Sequence, residues 1–237
     1  MSLQGSRVIV IGGTSGIGFA VAAGAAAAGA SVVVASSNQD RVDTAAKRLP
    51  GSSRGVRLDV TSEAAVAGFF AAEGAFEHLV YTAGEALLLK PAGAVSPDEA
   101  RSFFERRYWG AFWAARHAAP LIQAGSIVFT SGTVAARPAP GTALPASVTG
   151  AIESLTRALA VELAPIRVNA VRPGPVRSEM WAATVPDPQV VYDDFSGRIP
   201  MRRIAEPDEI AAAYLYLMEN PFTTGTVLTA DGGTLLA

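Results

Sequence analysis

The sequence contains no cysteine, which excludes disulfides, thiolate metal sites and a cysteine nucleophile. Two histidines are too few for a convincing metal cluster, so we expect no metal site. The 19 basic and 21 acidic residues give a formal net charge of −2, which creates no field to gather nucleic acid or an anionic membrane. We therefore expect a cytoplasmic protein that binds a small-molecule substrate, with no nucleic acid and no membrane as partner.

Charge is also missing between Arg7 and Asp40, a stretch that resembles a signal peptide or a membrane span. Many glycines interrupt it, and its alanine-rich middle contributes little to partitioning into hydrocarbon. We therefore assign it to a folded domain. The length of 237 residues and a hydrophobic content of 50% predict a single domain over residues 1–237.

Short apolar runs alternate with longer alanine-rich segments along the whole chain. The runs span residues 8–11, 31–35, 55–58, 78–82, 126–130, 167–171 and 226–229. Such runs suit strands that are buried on both faces, and the segments between them are long enough for helical crossovers. The pattern predicts an α/β doubly wound fold, with a seven-stranded, mostly parallel sheet and helices on both faces.

The segment IGGTSGIG, residues 11–18, follows the first predicted strand and opens an alanine-rich helix. Gly12 permits a tight turn, Gly16 lets the backbone approach a pyrophosphate, and Gly18 lets the helix pack closely on the sheet. An ordinary glycine-rich turn is the alternative, but the position at the first strand-helix junction favours a dinucleotide site of the Rossmann type. The predicted cofactor contacts here are Gly12, Thr14, Ser15, Gly16, Ile17 and Gly18.

The spacing of these three glycines resembles that of the short-chain dehydrogenase/reductase family. Further matches follow in order: LDV at 58–60, TAG at 82–84, ELAPIRVNAVRPG at 162–174 and TGTVLTADGG at 224–233. The resemblance implies adenine contacts, a cofactor cleft, contacts at the nicotinamide end and a substrate loop at about 176–205. The adenine contacts would be Asp59 and Val60. The cofactor cleft would be lined by Thr82, Ala83 and Gly84, and the nicotinamide end would be held by Pro173, Gly174, Val176 and Ser178. It also implies a homodimer or homotetramer.

The end of the second strand bears on the choice of dinucleotide. An acidic residue there would bind the ribose hydroxyls of NAD and repel a 2′-phosphate. This chain has Ser36, Ser37 and Asn38 instead, with Arg41 one turn further on. Neutral hydrogen-bonding groups and a nearby arginine favour NADP(H), while NAD(H) stays possible.

The usual catalytic pair of the resembling family is missing. In most members a tyrosine protonates the alkoxide and a lysine four residues later lowers the pKa of that tyrosine. Alignment on the following helix puts Pro145 and Thr149 at these positions, and the only lysines are Lys47 and Lys90. Proline has no donor, and an aliphatic hydroxyl has too high a pKa to replace an activated phenol.

Three residues are candidate catalytic substitutes. Arg107, at the family's asparagine position, would hold ribose hydroxyls or an oxyanion, unless it is an ordinary surface or salt-bridged arginine. Ser131, next to Gly132 at the family's serine position, would orient a substrate oxygen or merely cap its strand. Tyr192, in the substrate loop, would replace the missing acid or simply pack.

We therefore expect an NADP(H)-dependent oxidoreductase with atypical catalytic residues. Its substrate would be a small apolar or aromatic carbonyl, enone, imine or quinone, since a delocalised anion or a neutral product needs little help from an acid. The alternative is a catalytically inert NADP(H)-binding sensor or silent subunit. A third class, a cofactor-free lyase or dehalogenase, is disfavoured because such a protein has no use for GGTSGIG and Asp59.

Overall fold

The structure, a computed structural model, describes residues 2–84 and 88–237. The strands are β1 (Arg7–Ile11), β2 (Ser31–Ser36), β3 (Arg54–Arg57), β4 (His78–Tyr81), β5 (Ser126–Thr130), β6 (Arg167–Pro173) and β7 (Val227–Ala230). They form one sheet in the order β3-β2-β1-β4-β5-β6-β7, and every pairing is parallel. The predicted doubly wound Rossmann fold is confirmed, and each predicted run begins within one residue of its strand.

Helices cover both faces of the sheet. They are α1 (Gly16–Ala27), α2 (Gln39–Arg48), α3 (Glu63–Glu73), α4 (Pro97–Phe104), α5 (Gly110–Ala118), α6 (Ala143–Glu162), α7 (Glu179–Ala182), α8 (Pro188–Arg198) and α9 (Pro207–Glu219). Alternate residues of β1 point to opposite faces. Val8 and Val10 pack in the core beneath α1 and α9, whereas Ile9 and Ile11 pack in the core beneath α3, α5 and α6. None of the helices in the described ranges has the length and apolarity that a membrane span needs.

The strand order reverses between β1 and β4, which places a crevice at their carboxyl ends. Ile11 pairs with Tyr81, so the glycine loop after β1 lies beside Thr82, Ala83 and Gly84 after β4. A crevice at such a reversal is where doubly wound sheets bind ligands. The register of the sheet therefore brings two of the predicted cofactor segments to one place.

The predicted substrate loop at 176–205 contains regular structure, because its aromatic residues form a small core of their own. It contains α7 and α8, and its ends meet in a parallel bridge between Val176 and Ala205. The buried members of the small core are Trp181, Tyr192, Ile199 and Ile204. Burial of these apolar surfaces fixes the segment beside the crevice.

The buried His78, on β4, makes the stability of the fold depend on pH. Burial, with a smaller contribution from the charge of Arg167, lowers the pKa of His78 from 6.5 to about 4. The unfolded chain therefore binds the proton first as pH falls, and stability present above pH 6.5 is lost on the way to pH 4. We expect His78 to reduce the free energy of unfolding by about 2 kcal/mol between about pH 7.5 and about pH 5.

Urea denaturation of the native protein and of His78→Gln at both pH values measures this effect. Glutamine can keep a hydrogen bond to Ser126, whose Oγ lies 3.0 Å from His78 Nδ1, but it does not titrate. The native protein should lose about 2 kcal/mol more than the variant on acidification. Equal losses in the two proteins would show that His78 is not the group responsible.

Candidate functional site

A cavity of about 1240 Å³ opens at the carboxyl ends of the strands. It brings together all but one of the predicted cofactor residues. Those that line it are Gly12, Thr14, Ser15, Gly16, Ile17, Gly18, Ser36, Ser37, Asp59, Val60, Thr82, Ala83, Gly84, Pro173, Gly174, Val176 and Ser178. Asn38 does not line it; its Oδ1 accepts a hydrogen bond from the Arg41 amide at 2.9 Å and caps α2. Within the described ranges, no three potential metal-ligating side chains cluster.

The glycine loop has the tight turn and the close helix packing of a dinucleotide-binding loop, because Gly12 and Gly18 have no room for a Cβ. Gly12 has a φ of 87°, and a Cβ there would lie 2.5 Å from the Ala83 nitrogen. A Cβ at Gly18 would overlap the Gly12 carbonyl oxygen and the Thr82 hydroxyl. Ser15, Gly16 and Ile17, at the start of α1, line the cavity, where amides of a helix N-terminus can hold an anion.

One end of the cavity carries positive charge beside the second strand. Arg41 lines the cavity together with Ser36 and Ser37. Arg57 is paired with Ser36 in the β2–β3 register, and its Nε donates to the Ser37 carbonyl at 3.2 Å. Sequence reasoning identified Arg41 but missed Arg57, which only the pairing of β3 with β2 brings to this place.

Asp59, at the same end, is held as a carboxylate. It accepts hydrogen bonds from the hydroxyl of Thr61 at 2.7 Å and from the amide of Thr61 at 3.0 Å. These bonds hold the pKa of Asp59 below its usual value, and the charges of Arg106 and Arg57 act in the same direction. The carboxylate can therefore accept a further hydrogen bond from a ligand.

Pro145 and Thr149, on α6, line the other end of the cavity. The hydroxyl of Thr149 donates to the carbonyl of Pro145 at 2.8 Å. The proline ring has no hydrogen to donate. Neither of these residues therefore supplies an acid at the positions where the sequence alignment expects a tyrosine and a lysine.

Ser131 lines the same end and is bound to an ion pair that sequence reasoning missed. The hydroxyl of Ser131 donates to Glu153 Oε1 at 2.7 Å. Arg172 binds the same carboxylate in a bidentate manner, with Nε 2.9 Å from Oε1 and Nη2 2.7 Å from Oε2. Glu153 follows Thr149 by one helical turn on α6. That i,i+4 spacing is the sequence feature from which a position of Glu153 near the site could have been predicted.

Glu153 is ionised despite its burial. Burial by itself raises the pKa of the carboxyl, but hydrogen bonds from Arg172 and Ser131 outweigh it and hold the pKa below its usual value. The exposed fractions of the two charged side chains are 10% for Glu153 and 17% for Arg172. The hydrogen-bonding direction of Ser131 is therefore set by a buried charge pair.

Arg107 lies in the cavity, in a π-helical turn between α4 and α5. Its guanidinium packs against the backbone of Gly84, where a Cβ would come within 2.8 Å of the guanidinium carbon. The same carbon lies 4.8 Å from the centre of the Phe103 ring. The guanidinium of Arg107 therefore lies within the cleft.

Tyr192 is not brought together with Arg107 and Ser131. It is only 7% exposed, in the small core of 176–205, and it does not line the cavity. Its hydroxyl lies 3.5 Å from the Ser178 carbonyl, and the guanidinium carbon of Arg177 lies 4.5 Å from the ring centre. The side chain of Tyr192 is packed in the small core and away from the cavity, so a catalytic role for it has no geometric support.

Comparison with known proteins gives matches along nearly the whole chain. The profile of a family described as enoyl-(acyl carrier protein) reductase matches residues 12–234. Short-chain dehydrogenase/reductase ATR9 of Stachybotrys chlorohalonatus is 35% identical over 99% of both chains.

Two solved structures have the same fold as the chain and carry different cofactors. A small-chain dehydrogenase in complex with NADPH has a TM-score of 0.86 and 33% identity, over 99% of this chain and 100% of its own. A 3-ketoacyl-(acyl-carrier-protein) reductase from Brucella melitensis complexed with NADH has a TM-score of 0.91 and 29% identity, over 98% and 99%. Both nicotinamide dinucleotides therefore occur in structures of this kind.

Proposed function

The chain belongs to the short-chain dehydrogenase/reductase family, and we propose that it is an NADP(H)-dependent oxidoreductase that works without the usual tyrosine and lysine. The main support for this proposal is the cavity that joins the glycine loop to the residues of the predicted nicotinamide end. The glycine loop agrees with this use, because a Cβ at Gly12 or Gly18 would collide with neighbouring protein atoms, as expected for the tight turn and the close helix packing of a dinucleotide-binding loop. When bound, the dinucleotide supplies or accepts a hydride.

The preference for NADP(H) over NAD(H) rests on charge at the end of β2. Arg41 and Arg57 flank a strand end that has Ser36 and Ser37 but no carboxylate. The Arg41 guanidinium and two hydroxyls line the cavity and suit a 2′-phosphate, Arg57 adds positive charge beside them, and an acidic residue at the strand end would repel the phosphate. The NADPH complex of one neighbour supports the proposal, and the NADH complex of another makes a direct test necessary.

Replacing Arg41 with alanine should weaken NADPH binding about tenfold, because one charge-assisted contact to the 2′-phosphate is lost. The affinity for NADH, which lacks that phosphate, should change by less than about twofold. Calorimetric titration of both cofactors measures the two affinities. Arg101→Ala is the matched control, since Arg101 is exposed on α4 and pairs with Asp98. An equal loss for NADPH and NADH would contradict the assignment.

The substrate end of the cavity is apolar and lacks the usual acid. Phe103, Trp181, Phe195 and Ile199 line it, which suits a small apolar or aromatic molecule. Suitable reactions are those in which the reduced product needs little protonation, as with an enone, an iminium, a quinone or an activated carbonyl. The guanidinium of Arg107, which lies against Gly84 and lines the cavity, would hold ribose hydroxyls or a developing oxyanion.

The alternative function is a catalytically inert NADP(H)-binding sensor or silent subunit. It is favoured by the same observation that makes the enzyme atypical, the replacement of both usual proton-handling groups by Pro145 and Thr149. The proposed enzyme is favoured because the cavity continues past the predicted nicotinamide end into the apolar region around Trp181 and Phe195. A protein that only senses the dinucleotide does not need that additional volume.

The test is titration with NADPH and NADH, followed by a screen of NADPH oxidation over ketones, enones, imines and quinones. Binding with turnover above the uncatalysed rate supports the oxidoreductase. Tight binding without turnover of any compound supports the sensor or silent subunit. Absence of binding for both dinucleotides would overturn both functions.

A further inference from the structure

Four hydroxyl groups around the catalytic end of the cavity donate their hydrogens to acceptors within the protein. The acceptors are the Glu153 carboxylate for Ser131 at 2.7 Å, and backbone carbonyls of Pro145 for Thr149 at 2.8 Å, of Ala139 for Thr142 at 2.7 Å and of Tyr81 for Thr130 at 2.9 Å. All four hydroxyl-bearing residues line the cavity. Each hydroxyl has one hydrogen and two lone pairs. A ligand that contacts one of these four oxygens therefore meets a lone pair rather than an O–H donor.

Ser131 has the most strongly fixed direction of the four. An ionised carboxylate can only accept, and Arg172 keeps Glu153 ionised by its bidentate contact. The other neighbour of the Ser131 hydroxyl, the Thr149 carbonyl at 3.4 Å, is also an acceptor. Whichever of the two receives the hydrogen, the remaining lone pairs of Ser131 are what a ligand can use.

The direction of the Ser131 hydrogen bond favours some substrate classes over others. The oxygen of a neutral ketone or quinone is an acceptor, and it gains no hydrogen bond from another acceptor. A group that carries an N–H gains one, and leaving its buried donor unpaired would cost free energy. The polarity of the Ser131 oxygen is thus opposite to that needed for polarising a carbonyl.

We propose that Ser131 accepts a hydrogen bond from the N–H of a protonated imine, and that such imines are the substrates of this site. The inference rests on the proposed function, since it assumes hydride transfer from NADPH. The hydride forms a bond to the imine carbon, and the electron pair of the C=N π bond becomes the lone pair of a neutral amine. No proton is needed from the protein, which agrees with the absence of an acid at Pro145 and Thr149.

A matched pair of compounds tests this proposal: the 3,4-dihydroisoquinolinium ion, which carries an N–H, and its N-methyl counterpart, which does not. We expect Ser131→Ala to lower kcat/KM for the N–H compound about tenfold and to leave kcat/KM for the N-methyl compound unchanged. If Ser131 merely excluded the methyl group by its size, the variant would instead raise kcat/KM for the N-methyl compound. Ser147→Ala, at an exposed serine of α6, the helix that carries Glu153, is the control.

The outcomes separate this inference from the function on which it rests. If enones or quinones oxidise NADPH while both imines react at the uncatalysed rate, the imine proposal is wrong and the oxidoreductase stands. If Ser131→Ala lowers both imine rates equally, or changes neither, Ser131 does not accept a hydrogen bond from the N–H of the substrate. If no compound of any class oxidises bound NADPH, the proposed function fails and the imine proposal with it.

Discussion

Replacing Gly18 with alanine is expected to weaken NADPH binding at least about a hundredfold, equivalent to about 2.7 kcal/mol. A Cβ at this position overlaps the Gly12 carbonyl oxygen and the Thr82 hydroxyl. The carbonyl is backbone in the tight turn after β1 and cannot rotate away. The start of α1 must therefore move, and the amides that would hold the pyrophosphate move with it. Calorimetric titration with NADPH measures the loss.

Gly68→Ala is the matched control for this substitution. Gly68 is an exposed residue of α3, and apart from its chain neighbours and the backbone of its own helix no heavy atom lies within 4 Å of a Cβ built there. It should keep the native affinity and gain up to about 1 kcal/mol of stability, because alanine favours helix over glycine. Circular dichroism would show whether the Gly18 variant is folded. A folded Gly18 variant with native affinity would mean that the glycine loop does not hold the cofactor.

The fold and the cofactor cleft could be predicted from the sequence because their signals are local. A strand buried on both faces needs a continuous apolar run, and β1 and β5 show such runs directly. The close approach of backbone at Gly12 and Gly18 needs glycine whatever surrounds it. These signals depend on the residues themselves rather than on distant partners.

The polar network behind the catalytic end could not be predicted in the same way. Ser131 directly follows β5, whereas Glu153 lies on α6 and Arg172 on β6, and the three residues meet only after the sheet has formed. The sequence identified Ser131 by its position in the family pattern but gave no information on which way its hydroxyl points. For Tyr192, the sequence allowed either a packing role or a catalytic role. In the structure Tyr192 packs in a small core with Trp181.

Arg172→Leu is expected to lower the free energy of unfolding by about 3 kcal/mol at neutral pH. The substitution leaves the carboxylate of Glu153, which is 10% exposed, with the Ser131 hydroxyl but without its bidentate partner. Urea denaturation measures the loss. The double variant Glu153→Leu with Arg172→Leu should recover most of it, because removing both charges leaves none uncompensated. Equal stabilities of the single and double variants would show that the charge of Glu153 is not the cause.

The pH dependence of the stability of Arg172→Leu shows whether the loss is caused by the charge of Glu153 or by its size. With Arg172 present, hydrogen bonds keep the pKa of Glu153 below its usual value, so this stabilisation holds at neutral pH and is lost only in acid. Without Arg172, burial raises the pKa of Glu153, and protonation then relieves the penalty as pH falls. The deficit of Arg172→Leu should therefore shrink between about pH 7 and about pH 5. A protonated Glu153 can donate to Ser131, whose own hydrogen then becomes available to a carbonyl ligand, so the ion pair sets the polarity of the site as well as its stability.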